Sequence, residues 1–185
     1  EEGTPVFAHE PLLRVRAPII EAQVAETALL ATVTFETSVA SKAVRVVEAA
    51  SGRPVIEFGS RRAHGVGAAL HAARAAYLGG CEGTSNVEAG FRYGIPVSGT
   101  MAHSWVMAFG DELAAFRQYA SLYGERAVLL LDTYDVIEAA RRVVSSGLRP
   151  SAIRLDSGEI PELSRKVRAI FDEGGLRDTG IFVSG

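Results

Sequence analysis

The chain has 185 residues, 48% of them hydrophobic, which is enough for one domain with a sizeable core. A net charge of −3 gives no electrostatic footprint for nucleic acid, and no run of 18 apolar residues is present to span a membrane. The single cysteine, Cys81, excludes an internal disulfide and a cysteine-built zinc site, and reads as a small buried residue.

No basic start followed by an apolar stretch marks a signal peptide, so the composition predicts a cytoplasmic, soluble protein. The chain opens Glu1-Glu2-Gly3 without a Met, so its true start is expected upstream. Leu12 to Ile19 reads as a strand or extended segment, with Pro18 limiting pairing. Glu21 to Ala50 carries Val24, Ala28, Leu29, Val39, Ala43, Val46 and Val47 at helical spacing. Two helices are predicted there, broken near Thr32–Thr37 where β-branched residues gather, with Gly52 as the stop.

From there strands and helices alternate. Val55 to Phe58 predicts a strand, Ala63 to Tyr77 a helix ended by Gly79-Gly80, and the region of Cys81 a short strand. Asn86 to Arg92 predicts a helix, Ile95 to Ser98 a strand, and Ser104 to Tyr123 a helix. Ala127–Leu131, Ala152–Leu155 and Ile181–Val183 predict strands, with helices at Val136–Val144 and Ile160–Glu173. This order predicts an α/β fold with a parallel sheet, either a barrel or an open doubly wound sheet. No G-x-G-x-x-G follows a strand, so a dinucleotide loop is not indicated.

Polar residues gather just after the strands. They do so at Gly59-Ser60-Arg61-Arg62-Ala63-His64, at Gly83-Thr84-Ser85-Asn86 and from Ser98 to Ser104. They do so again at Asp132-Thr133-Tyr134-Asp135 and from Arg154 to Glu159. In α/β folds ligands bind at the C-terminal ends of parallel strands. Ser, Thr, Asp and Asn also cap helices, so each segment alone is open to that plainer role. Five such ends, carrying Arg61, Arg62, Arg154, His64 and His103, exceed what capping needs. Arginine forks take phosphate or carboxylate, and helix N-termini add to anion sites. Aspartates suit ribose hydroxyls or a phosphate-bound Mg²⁺, and Phe58 suits stacking on a planar ring. The residues therefore point to a phosphorylated, sugar-bearing, partly aromatic ligand and leave the reaction open.

The segments Ile56-Glu57-Phe58-Gly59-Ser60-Arg61-Arg62-Ala63-His64-Gly65 and Gly83-Thr84-Ser85-Asn86-Val87 resemble signatures of the nicotinate phosphoribosyltransferases. So do the run from Gly94 to Ser104, Asp132-Thr133-Tyr134-Asp135 and Arg154-Leu155-Asp156-Ser157-Gly158, in the family's order. The resemblance implies an irregular TIM-like α/β barrel, here a single partial barrel domain over residues 1–185. A closed eight-unit barrel takes about 250 residues. The family's N-terminal domain and its later barrel strands, with their phosphate loops, are expected to be absent, which leaves open sheet edges.

The resemblance also implies a chemistry. Nicotinic acid and phosphoribosyl pyrophosphate would give nicotinate mononucleotide and pyrophosphate, with ATP as co-substrate and Mg²⁺ carried on the phosphates. His103 matches the histidine that is phosphorylated, with Asp156 and Arg154 as catalytic neighbours. Phe58 matches the aromatic that stacks on the pyridine ring, against a plainer role in core packing. Arg61, Thr84, Thr100, Asp132, Ser157 and Gly158 join the substrate-binding set, with His64 and Asp135 behind it. His64 is equally open to capping the following helix. Ser85 stands where the nicotinamide-using relatives carry an Asp, so it favours a carboxylate substrate over an amide. A homodimer is implied by the family. The alternatives are a catalytically incomplete scaffold or ligand sensor, or a nicotinamide or quinolinate relative. No metal ligand is assigned.

Overall fold

The computed structural model describes residues 1–185. Parallel strands alternate with helices, giving a mixed α/β chain that divides into two compact units, Glu1–Gly99 and Thr100–Gly185. No helix is long and apolar enough to cross a membrane.

The first unit begins with exposed chain, and residues 12–18 form no strand. Helix α1 (Ile19–Ala49) is one 31-residue helix where two were expected. The β-branched cluster is accommodated locally. Thr32 donates its hydroxyl to the Ala28 carbonyl at 3.0 Å, and Ser38 donates to that of Thr34 at 2.8 Å. Each such residue lowers helix propensity by less than about 1 kcal/mol, which packing readily outweighs.

That packing is against α2 (Val66–Leu78). Ala43, Ala76 and Cys81 form a small core with Val39, Val47 and Val55 around them. Glu36 of α1 reaches His71 at 2.9 Å and Arg74 at 3.7 Å on α2. Cys81 is buried, as expected. Burial, reinforced by the charge of Glu57, pushes its thiol pKa up, which keeps it protonated and unreactive.

Strand β1 (Ile56–Glu57) pairs in parallel with β2 (Gly83–Thr84), and α3 (Val87–Tyr93) follows. The expected strand at Ile95–Ser98 is reduced to one parallel bridge, Thr84 to Val97. Pro96 has no N–H for a longer ladder. Its carbonyl accepts from the Thr84 amide at 3.0 Å, and the Ser98 amide donates to the Thr84 carbonyl at 3.0 Å.

In the second unit the expected long helix after Ser104 is two, α4 (His103–Met107) and α5 (Glu112–Tyr123). The break comes from Asp111, whose Oδ2 accepts from the Ala114 amide at 3.0 Å and starts α5 afresh. Trp105 Nε1 donates to the Ala115 carbonyl at 3.2 Å and ties the two helices together. Strands β3 (Val128–Leu130), β4 (Ala152–Leu155) and β5 (Gly180–Val183) form one parallel sheet in that order. Helix α6 (Val136–Ser146) connects β3 to β4, and α7 (Ile160–Glu173) connects β4 to β5. Leu129, Leu130, Ile153 and Leu155 pack with Phe116, Val143, Val167 and Phe171 in a fully buried core. The two sheets have two and three strands, and neither closes on itself.

Gly79, at the C-cap of α2, lies close against α1. A Cβ there would lie 2.7 Å from the Ala40 carbonyl oxygen and 2.8 Å from the Ala43 Cβ, whereas one at Gly99 meets nothing within 4 Å. Gly79→Ala should therefore lower unfolding stability by about 1–3 kcal/mol in urea titration, with Gly99→Ala close to neutral.

Candidate active site

Strand β4 alternates. Ile153 and Leu155 enter the core, and Arg154 between them takes the other face with 12% of its side chain exposed. A guanidinium so placed needs acceptors at fixed angles. Arg154 Nε donates to Ser184 Oγ at 2.8 Å, Nη1 to Thr100 Oγ1 at 2.9 Å, and Nη2 to Asp156 Oδ1 at 2.6 Å. Ser184 closes the triangle by donating its hydroxyl to the same Asp156 oxygen.

Asp156 is the hinge of the group. Burial raises its carboxyl pKa, but hydrogen bonds from Ser184 and Arg154, the Arg154 charge and the His103 contact outweigh that, so it lies below its ordinary value. Its Oδ2 stands 3.5 Å from His103 Nε2, and Thr133 Oγ1 stands 3.4 Å from His103 Nδ1. A carboxylate facing Nε2 favours the tautomer with its proton there and leaves the lone pair on Nδ1. His103 is the first residue of α4, and its ring is partly exposed.

Asp132, two residues past the end of β3, holds the next loop in place. Its Oδ2 accepts from the Asp156 amide at 2.9 Å and from the Ser157 hydroxyl at 2.7 Å. Its Oδ1 is buried without a hydrogen-bond partner, the kind of oxygen that a ligand hydroxyl or cation satisfies. No group of three or more His, Cys, Asp or Glu side chains is gathered to cage a metal. A Mg²⁺ that arrives on phosphates needs only one or two carboxylates, and Asp132 with Asp156 fits that donor set. Gly158, at φ +81°, turns the loop into α7. Asp135 is used as the cap of α6, its Oδ1 accepting from the Glu138 amide at 2.8 Å.

The first unit carries its own polar cluster at the ends of β1 and β2. Thr84 is 0% exposed, and its hydroxyl donates to Glu57 Oε2 at 2.6 Å while accepting from the Asn86 amide at 3.0 Å. These two hydrogen bonds tie the Thr84 hydroxyl to its own loop. Glu57 Oε1 accepts from the Gly59 amide, which shapes the turn that carries Phe58, Ser60 and Arg61. Asn86 caps α3 by accepting from the Ala89 amide at 3.0 Å, and its Nδ2 donates to Ser60 Oγ at 3.2 Å. Phe58 and Ser85 are half-buried, while Arg61 and His64 are exposed. Gly65 stands at the N-cap of α2 and no side chain caps that end, so His64 does not cap it.

Three contributors have no role assigned from the sequence, although two of them lie within motif segments: Glu57, Thr133 and Ser184. Glu57 lies inside a strand, where a carboxylate looks like a solvent-facing residue. Ser184 lies just past β5, so the strand-end pattern that marked the other segments applied to it as well.

The pattern of the Nicotinate phosphoribosyltransferase (NAPRTase) family matches residues 54–179. A nicotinate phosphoribosyltransferase of Mycobacterium tuberculosis is 49% identical over 189 residues, covering 99% of this chain and 41% of the relative. One from Bacillus subtilis is 46% identical over 191 residues, covering 100% of this chain and 39% of the relative. The crystal structure of human nicotinic acid phosphoribosyltransferase superposes with a TM-score of 0.75 at 30% identity, over 98% of this chain and 49% of that one. Nicotinate-nucleotide pyrophosphorylase from Pyrococcus furiosus superposes at 0.74 and 31% identity, over 82% of this chain and 41% of that one. The chain belongs to the nicotinate phosphoribosyltransferase family. It spans about two-fifths of the length of the curated relatives it matches.

The lowered pKa of Asp156 fixes a sign. Its ionised form is favoured by folding, so its stabilisation is full above the ordinary carboxylate range and is lost as pH falls through its folded value. Asp156→Asn should cost about 2–4 kcal/mol at pH 7 by denaturant titration, and its deficit against wild type should shrink steadily below about pH 4.

Proposed function

We propose that the intact protein joins nicotinic acid to phosphoribosyl pyrophosphate, with ATP hydrolysis, to form nicotinate mononucleotide and pyrophosphate for NAD salvage. The supporting observation is the His103–Asp156–Arg154 group, built from two of the segments that carry the family's motifs. The three-stranded sheet of the second unit is on this account an arc of the family's TIM-like barrel, completed by further strands and working as a cytoplasmic homodimer.

Asp156 holds the His103 proton on Nε2, and Nδ1 takes the γ-phosphoryl group of ATP as ADP leaves. The phosphohistidine then carries negative charge beside the ribose binding position. The pyridine nitrogen attacks ribose C1 as pyrophosphate departs, a step with oxocarbenium character in which positioning and charge stabilisation carry the catalysis. Asp132, with its unpartnered Oδ1, takes a ribose hydroxyl or a phosphate-borne Mg²⁺; the ion, when bound, neutralises the departing pyrophosphate. Ser157 and Gly158 shape that loop, and Thr100 with Arg154 sets its charge. Phe58 stacks on the pyridine ring, Arg61 takes phosphate or carboxylate oxygens, and Ser85 admits the nicotinate carboxylate.

The role of Ser85 is tested by substrate choice in the intact protein. Like charges held together cost several kcal/mol, so Ser85→Asp should lower kcat/KM for nicotinic acid by about a hundredfold. The same change should leave nicotinamide unaffected or improved. Equal losses on both substrates would remove Ser85 from carboxylate recognition. An intact wild type with no nicotinate-dependent pyrophosphate release would favour a scaffold.

A further inference from the structure

The second unit holds a second polar cleft that the proposed reaction does not use. Its volume is about 390 Å³, and Phe109, Asp111, Glu112, Tyr134, Glu138 and Arg142 line it from the starts of α5 and α6. Most of its charged groups have partners. Asp111 and Asp135 cap α5 and α6. Arg142 donates to Asp111 at 3.2 Å and to Glu138 at 3.3 Å.

Glu112 is different. It is 7% exposed, it lines the cleft, and its Oε1 is buried without any hydrogen-bond partner. A carboxylate in that position is costly unless something answers it. Burial pushes its pKa up to about 7; Arg142 pulls against that shift, and Asp111, Asp135 and Glu138 add to it. The surrounding charges therefore leave the cleft short of positive charge whenever Glu112 ionises.

The carboxylates do not gather into a three-ligand cage, so a bare metal ion is a poor match. A cation with several N–H donors spreads its charge over more distance. The volume lies in the range of small-ligand sites. The rings of Phe109 and Tyr134 in the wall are surfaces that cations favour. We propose that this cleft binds a small organic cation, an ammonium or guanidinium compound, through the Glu112 carboxylate. Of the residues named for the transferase chemistry only Asp135 also lines this cleft, and its carboxylate is engaged as the cap of α6.

Agmatine, which carries both a guanidinium and an ammonium group, is the probe. Calorimetric titration of the intact protein at pH 8 should show saturable binding. Because the cation competes with a proton that Glu112 binds near pH 7, affinity should fall about tenfold from pH 8 to pH 6. Glu112→Gln, checked for folding by circular dichroism, should abolish binding at pH 8. Absence of saturable binding by wild type at pH 8 overturns the proposal, as does affinity unchanged in Glu112→Gln or flat between pH 8 and 6. Should the variant fail to fold, the wild-type pH series decides alone.

Discussion

The Arg154 guanidinium sits in the central strand of a parallel sheet with 12% of its side chain exposed, where an unmatched charge would cost several kcal/mol. Its planar fork accepts only partners at set angles, and the structure supplies three: Thr100 before α4, Asp156 after β4 and Ser184 after β5. Each lies on a different connection. Meeting the needs of one buried cation therefore fixes where three loops stand, and Asp156 in turn faces His103 and is anchored through its amide by Asp132. The site's geometry follows from satisfying Arg154, with the apolar core of Leu129, Ile153 and Leu155 holding the strands that present it.

The first unit solves a similar problem with neutral groups. The Glu57 carboxylate is met by the Thr84 hydroxyl and the Gly59 amide, which bends the chain after β1. Asn86 then links the β2 end to the same turn through Ser60. In both units a carboxylate at a strand end organises the following loop. These tethered loops carry Phe58, Arg61 and Ser85 in one unit and His103, Asp132 and Ser157 in the other.

Much of this was legible because apolar runs and polar strand ends alternate so regularly after Val55. The strand at Ala152–Leu155 and the helix at Ile160–Glu173 match their expected bounds, where period and caps agree. Errors arose where local signals compete. The Thr-rich middle of α1 looked like a break, but hydroxyl back-bonds and packing on α2 carry the helix through it. The run after Ser104 looked continuous, yet Gly110-Asp111 starts a new helix. Pro96 removed a ladder that the apolar residues around it suggested. Among site residues, position showed which strand ends matter, but not which hydroxyls face inward. Thr84 and Ser85 are neighbours with the same chemistry, and only the fold separates the buried one from the half-buried one.

The account centres on His103 as a phosphoacceptor aligned by Asp156. The direct measurement is incubation of the intact protein with γ-labelled ATP and Mg²⁺, followed by recovery of acid-labile, alkali-stable label. The account predicts label on wild type, none on His103→Ala, and a slower rate of labelling for Asp156→Asn. Undiminished label on His103→Ala, or an intact wild type that takes none, would contradict it.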